Sequence, residues 1–143
     1  MPHTNLHRSV LILILVACTG CRDYSAEISD QFNASGRESI DLKKAVPSQW
    51  EKVCVIGPYM DNAATEKTLG FKWPVESHSA IGHSDGISLL VFVRGNSAIE
   101  HVEHPRNEGD FANLSGQCFS PSEAKFKRVK DLPDSWPELV QAK

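Results

Sequence analysis

Ile87-Ser-Leu-Leu-Val-Phe-Val-Arg94, then Gly95-Asn96, then Ser97-Ala-Ile-Glu-His-Val-Glu103: this run of seventeen residues decides the fold. The first arm is β-branched and aromatic, Gly95-Asn96 supplies a two-residue turn, and the second arm returns as an antiparallel strand. A two-residue turn pairs Val93 with Ala98 and Phe92 with Ile99. Leu89, Val91 and Val93 then share one face, and Leu90 and Phe92 the other. A strand apolar on both faces belongs in the middle of a sheet with material covering each side. The returning arm carries Glu100, His101 and Glu103 and is expected to be more exposed.

Outward from the hairpin the elements are short. Glu51–Ile56 is a β-rich run closed by Gly57-Pro58. Asp61 or Asn62 can cap a helix running to Leu69, with Gly70 suited to terminate it. Such a helix is about two turns long and depends on tertiary packing. Ile40, Leu42 and Val46 begin a strand or a short helix that Pro47 stops. Further strands are expected at Lys125–Lys130 and Gln117–Phe119. Pro133 and Pro137 bracket Trp136 in a C-terminal segment docked on the core. The expected class is α+β: a mainly antiparallel sheet of four or five strands, a central β-hairpin, one short helix and long loops. At 143 residues the chain suits a single small domain, spanning 39–143.

Residues 1–17 read differently. Arg8 precedes a compact apolar block, Val10–Ala17, which stops at small residues around a cysteine. That order is an export signal, and the block is far shorter than the roughly 20 residues a membrane-spanning helix needs. Leu15-Val16-Ala17-Cys18 resembles the lipobox of bacterial lipoproteins. The resemblance implies that a diacylglycerol is attached to Cys18 and that residues 1–17 are removed. Cys21 is the alternative, because lipidation there leaves an even pair of cysteines in the mature chain. By the same resemblance, Thr19 after Cys18 (or Arg22 after Cys21) lacks the aspartate that retains lipoproteins in the inner membrane. The implied address is the outer membrane, facing the periplasm. Residues 18–38 are small and polar, with Tyr24, Ile28 and Phe32 four apart. A short amphipathic helix fits that spacing, but a polar tether is the preferred reading.

The formal charge is −3, and removing Arg8 with the signal makes the remainder more acidic. Nucleic-acid binding requires a domain basic overall, so the cluster Lys125, Lys127, Arg128 and Lys130 reads as a solvated strand edge. Cys54 and Cys118 lie in the exported part, where a disulfide is the natural reading. Closing a loop of that length stabilises by roughly 4 kcal/mol in the chain-entropy model.

Candidate sites are few. His78, His83, His101 and Glu103 are the residues that metal binding would use; His101 and Glu103 alternate along one strand and so face the same way. Nothing here matches a zinc spacing, and no metal or other cofactor is expected. His83-Ser84-Asp85 has the residue types of a hydrolase triad, but three consecutive residues cannot form the relay, and no G-x-S-x-G elbow is present. The loop His104–Phe111 offers Arg106, Glu108 and Asp110 as charged groups and Phe111 as an apolar anchor. It is the candidate interaction loop, set against an ordinary connection held by an internal Arg106–Asp110 ion pair. Trp50, Tyr59 and Trp73 flank other loops as a candidate aromatic patch. The expectation is a lipid-anchored envelope protein acting as a non-enzymatic binding module, for envelope maintenance or as an immunity-type lipoprotein, with an envelope protein as partner. The alternative is a small envelope metal-binding protein or enzyme using the four residues above.

Overall fold

The computed structural model describes residues 22–132 and 135–143. The signal segment, Cys18 and Cys21 lie outside the described residues. The fold is α+β, with the hairpin at its centre. Strands β1 (Ser39–Asp41), β2 (Lys52–Ile56), β3 (Ile87–Arg94), β4 (Ser97–Pro105), β5 (Cys118–Phe119), β6 (Lys125–Arg128) and β7 (Leu139–Gln141) alternate with helices α1 (Tyr24–Ala34), α2 (Leu42–Ala45) and α3 (Asn62–Leu69). One antiparallel sheet has the order β4-β3-β2-β5, with the expected hairpin as its β3–β4 pair and β3 an inner strand. The other three strands do not extend it. They form a second antiparallel sheet, β1-β6-β7, so the expectation of one sheet and one helix is corrected to two sheets and three helices.

The two-faced character of β3 explains the layering. Residues Ser88 to Val93 are all buried. Leu90 and Phe92 join Val53, Val55 and Val102 against Ile40, Phe126 and Leu139 of the second sheet, together with Ile28 and Phe32 of α1. Leu89, Val91 and Val93 face the opposite way, onto Leu69 of α3, Trp73, Val75 and Ile81. Helix α3 is built as expected: the Asp61 carboxylate accepts the Ala64 N–H at 2.8 Å, and Gly70 closes it in the left-handed region.

The hairpin register departs from the simple reading by one residue. Val93 does pair with Ala98, but Phe92 lies opposite Glu100, leaving Ile99 as a bulge. The reason lies in the second arm. Ile99 and Val102 both pack on the core shared by the two sheets, yet three positions is an odd step that a regular strand sends to opposite faces. One extra residue brings both to the same side.

Residues 24–38 are not a tether. Ile28 and Phe32 are completely buried, and Asp23 caps α1 by accepting the Ser25 and Ala26 N–H groups. The Gln31 side chain accepts the Asp41 N–H and donates to the Asp41 carbonyl, so one amide completes both backbone bonds at the end of β1. Ser35 Oγ accepts the N–H groups of Glu38 and Ser39. The folded domain therefore begins before Ser39. The polar composition reflects a helix with one narrow apolar stripe and three solvated sides.

Cys54 and Cys118 are joined, S–S 2.04 Å, as directly opposed residues of β2 and β5 with Cα atoms 4.0 Å apart. Lys125 and Lys127 project to solvent on either side of the buried Phe126, but β6 is the middle strand of its sheet rather than an edge.

Candidate functional site

The loop His104–Phe111 is tied inward at almost every residue. Phe111, expected as an exposed anchor, is fully buried and packs edge-on against Phe126 at 5.1 Å and His104 at 5.8 Å. Its neighbour Asp110 pairs with the C-terminal segment: its N–H donates to the Pro137 carbonyl and its carbonyl accepts the Leu139 N–H, both at 2.9 Å. Glu108 is held by Arg37 at 3.5 Å and by the Asn33 amide of α1 at 3.2 Å.

Arg106 is the organising residue. Its Nε and Nη2 donate to the two oxygens of Asp110 at 2.8 and 2.9 Å, while Nη1 donates to the Asp85 carbonyl at 2.7 Å. This bidentate geometry is the strong form of the pair, and the hydrogen bonds donated to Asp110 hold the guanidinium above its ordinary pKa. The expected internal ion pair is thus present. With its edges occupied, the guanidinium stacks over the Trp136 ring, 4.4 Å from the centroid.

The surroundings are apolar and exposed. Trp136 is 43% exposed, Leu132 38% and Tyr59 63%; among the described residues these are the exposed large hydrophobic side chains. Trp136 is in contact with Arg106, and Leu132 lies beside Trp136. Leu132, Trp136, Asp110 and Glu138 line one depression of about 240 Å³. Tyr59 stands on the turn after β2 and adds a weak electrostatic influence on Arg106.

Tyr59 is held there by its turn. Gly57 lies so close to Ser115 that a Cβ on it would fall 1.7 Å from the Ser115 hydroxyl, so only glycine fits. Tyr59 itself has φ 64, an outlier for a bulky residue. Its N–H donates to the Ile81 carbonyl at 2.9 Å. A left-handed non-glycine residue costs of order 1 kcal/mol, and here that strain keeps an aromatic ring in solvent.

The other sequence candidates are distributed differently. Trp50 and Trp73 are buried in the two separate cores, so they make no patch with Tyr59. His78 stacks flat on Trp73 at 4.5 Å, and His101 meets both rings edge-on at 5.6 Å. Glu103 is engaged elsewhere: it accepts from the Ser79 hydroxyl at 2.6 Å and the Ala80 N–H at 3.0 Å. Among the described residues no three histidine, cysteine or acidic side chains converge as a metal site would require. Glu103 thus caps a turn, and the two histidines extend an aromatic stack.

His104 was not singled out by its sequence context. It is fully buried opposite Ser88. Its Nε2 lies 2.9 Å from the Glu108 carbonyl, which can only accept, so Nε2 carries the proton. Nδ1 and the Ser88 hydroxyl have no hydrogen-bond partner among the described residues. Burial lowers the His104 pKa more than Glu108 raises it.

No family model matches this chain, and comparison with curated proteins and with solved structures returns no match.

Proposed function

We propose that this protein is a lipid-anchored binding module of the bacterial cell envelope, without enzymatic activity, that engages an envelope protein through the surface formed by Tyr59, Arg106, Trp136 and Leu132. The observation that carries this reading is the exposed Trp136 ring stacked on the Arg106–Asp110 pair, with the exposed Leu132 in the same depression. Tyrosine, tryptophan and arginine dominate binding hot spots, and a rigid aromatic cluster orders little on binding. The anchor follows from Leu15-Val16-Ala17-Cys18, with lipid on Cys18, or on Cys21 by the alternative, and outer-membrane sorting. No helix among the described residues is long and apolar enough to cross a membrane.

Photo-crosslinking in intact cells tests the surface. A benzophenone amino acid placed at Tyr59, and separately at Trp136, is expected to capture the same discrete partner. At Lys67, exposed on α3, it is expected to capture none. Identical adducts from all three positions would refute a specific surface.

A further inference from the structure

A second concavity lies away from the aromatic surface. Residues Pro47 to Glu51, Lys43 of α2, Arg94 at the end of β3 and Pro121 line an open groove of about 660 Å³, within the size range of small-molecule sites. Its apolar part is Pro47, Pro121 and the indole of Trp50, whose N–H is already donated to the Val46 carbonyl at 2.9 Å. The indole is itself buried, so the accessible apolar surface of the groove comes mainly from the two prolines.

Two cations stand at the rim. Neither Lys43 nor Arg94 takes part in an ion pair among the described residues. Arg94 makes one bond, from Nη1 to the Gln49 carbonyl at 3.3 Å. The one acid of the groove, Glu51, accepts the Gly95 N–H at 3.3 Å. Two unpaired cations against the single carboxylate of Glu51 leave the groove net positive in a chain of net negative charge, and its proline-lined part suits an anion that carries an apolar body.

We infer that this groove binds the phosphate headgroup and adjoining glycerol-acyl region of an anionic phospholipid. The choice of occupant rests on the lipid-anchor reading. Tyr24, the first residue of α1, places its hydroxyl 3.4 Å from that of Ser48 on the groove wall. Because α1 is part of the fold, the stretch Thr19–Asp23 is all that separates Cys18 from it. Even fully extended, that link spans only about 20 Å. On the lipid-anchor reading the groove, whose wall is touched by the first residue of α1, lies within reach of the bilayer, where phosphates are the concentrated amphiphilic anion.

Titrating the purified full chain with dihexanoyl-phosphatidylglycerol below its micelle concentration, read by native mass spectrometry, tests this. One bound lipid is expected, and K43E/R94E should weaken it about tenfold or more, each basic residue contributing to anionic-lipid attraction. K43Q/R94Q should fall between the two, and an unchanged circular dichroism spectrum and intact disulfide show that each variant folds. Equal binding of dihexanoyl-phosphatidylcholine, or unchanged binding by K43E/R94E, would overturn the proposal. Equal binding of glycerol 3-phosphate would also overturn it, assigning the groove to free phosphate. The covalent mass of membrane-extracted protein reports the anchor separately. An unlipidated chain that still takes up the lipid through Lys43 and Arg94 fails the anchor reading alone, and a lipidated chain without that uptake fails this inference alone.

Discussion

Phe32→Ala separates a folded α1 from a tether more cleanly than any other change. Phe32 is completely buried among Ile28, Leu42 and the second sheet. Truncating a buried phenylalanine costs about 3–5 kcal/mol from lost transfer energy and the cavity left behind. The Arg37 guanidinium also lies over this ring, 5.0 Å from its centroid, which adds roughly 0.5 kcal/mol or more at a half-exposed site. A total near 4 kcal/mol is a large share of the roughly 5–15 kcal/mol that holds a small domain together. With a urea slope of about 2 kcal/mol/M, the midpoint should fall by roughly 2 M at unchanged slope. The assay is equilibrium urea unfolding with the disulfide intact, using exposed Asp30→Ala on the same helix as the control, which should shift by no more than about 0.5 kcal/mol. A Phe32→Ala midpoint within the error of the parent would refute the placement of α1 in the core.

Two further outcomes are expected. Cys54→Ser should abolish the mobility change that reductant produces on a non-reducing gel, and lower stability by about 4 kcal/mol through loss of the 64-residue loop closure; an unaltered gel shift would exclude the pairing. Burial lowers the His104 pKa below its ordinary value of 6.5, so between these two values the unfolded chain binds more protons than the folded one. Stability should therefore hold above pH 6.5, fall as the pH drops toward the folded value, and level off below it. His104→Gln should flatten that part of the urea-midpoint profile, and an identical profile would show that His104 does not titrate on unfolding.

The parts legible in the sequence were those written locally. The hairpin carries its turn and both arms within seventeen residues, and α3 carries its cap and its terminating glycine. The disulfide was legible because only two cysteines fall in the folded part. The second sheet was not, because β1 and β7 are three residues each and β1 finds β6 only after more than 80 intervening residues. No periodicity survives in so short a strand. Helix α1 showed its stripe of Tyr24, Ile28 and Phe32, but two buried residues among eleven do not outweigh a polar composition. The bulge at Ile99 was encoded in the odd spacing to Val102, a signal that becomes readable only once both are known to face one core. In the loop His104–Phe111 the internal Arg106–Asp110 pair was legible, and the placement of the apolar residues was not. Phe111 turned inward, and Trp136 and Tyr59 took the outward role, because an aromatic residue carries no local mark of which side of a loop it will occupy.

The Gln31 amide at the end of β1 has a consequence beyond the docking of α1. An open strand edge is a template for another chain. By satisfying both backbone groups of Asp41 with a side chain, α1 leaves that end of the smaller sheet nothing to offer a passing strand. The helix that fills the core thus also covers one end of an edge strand.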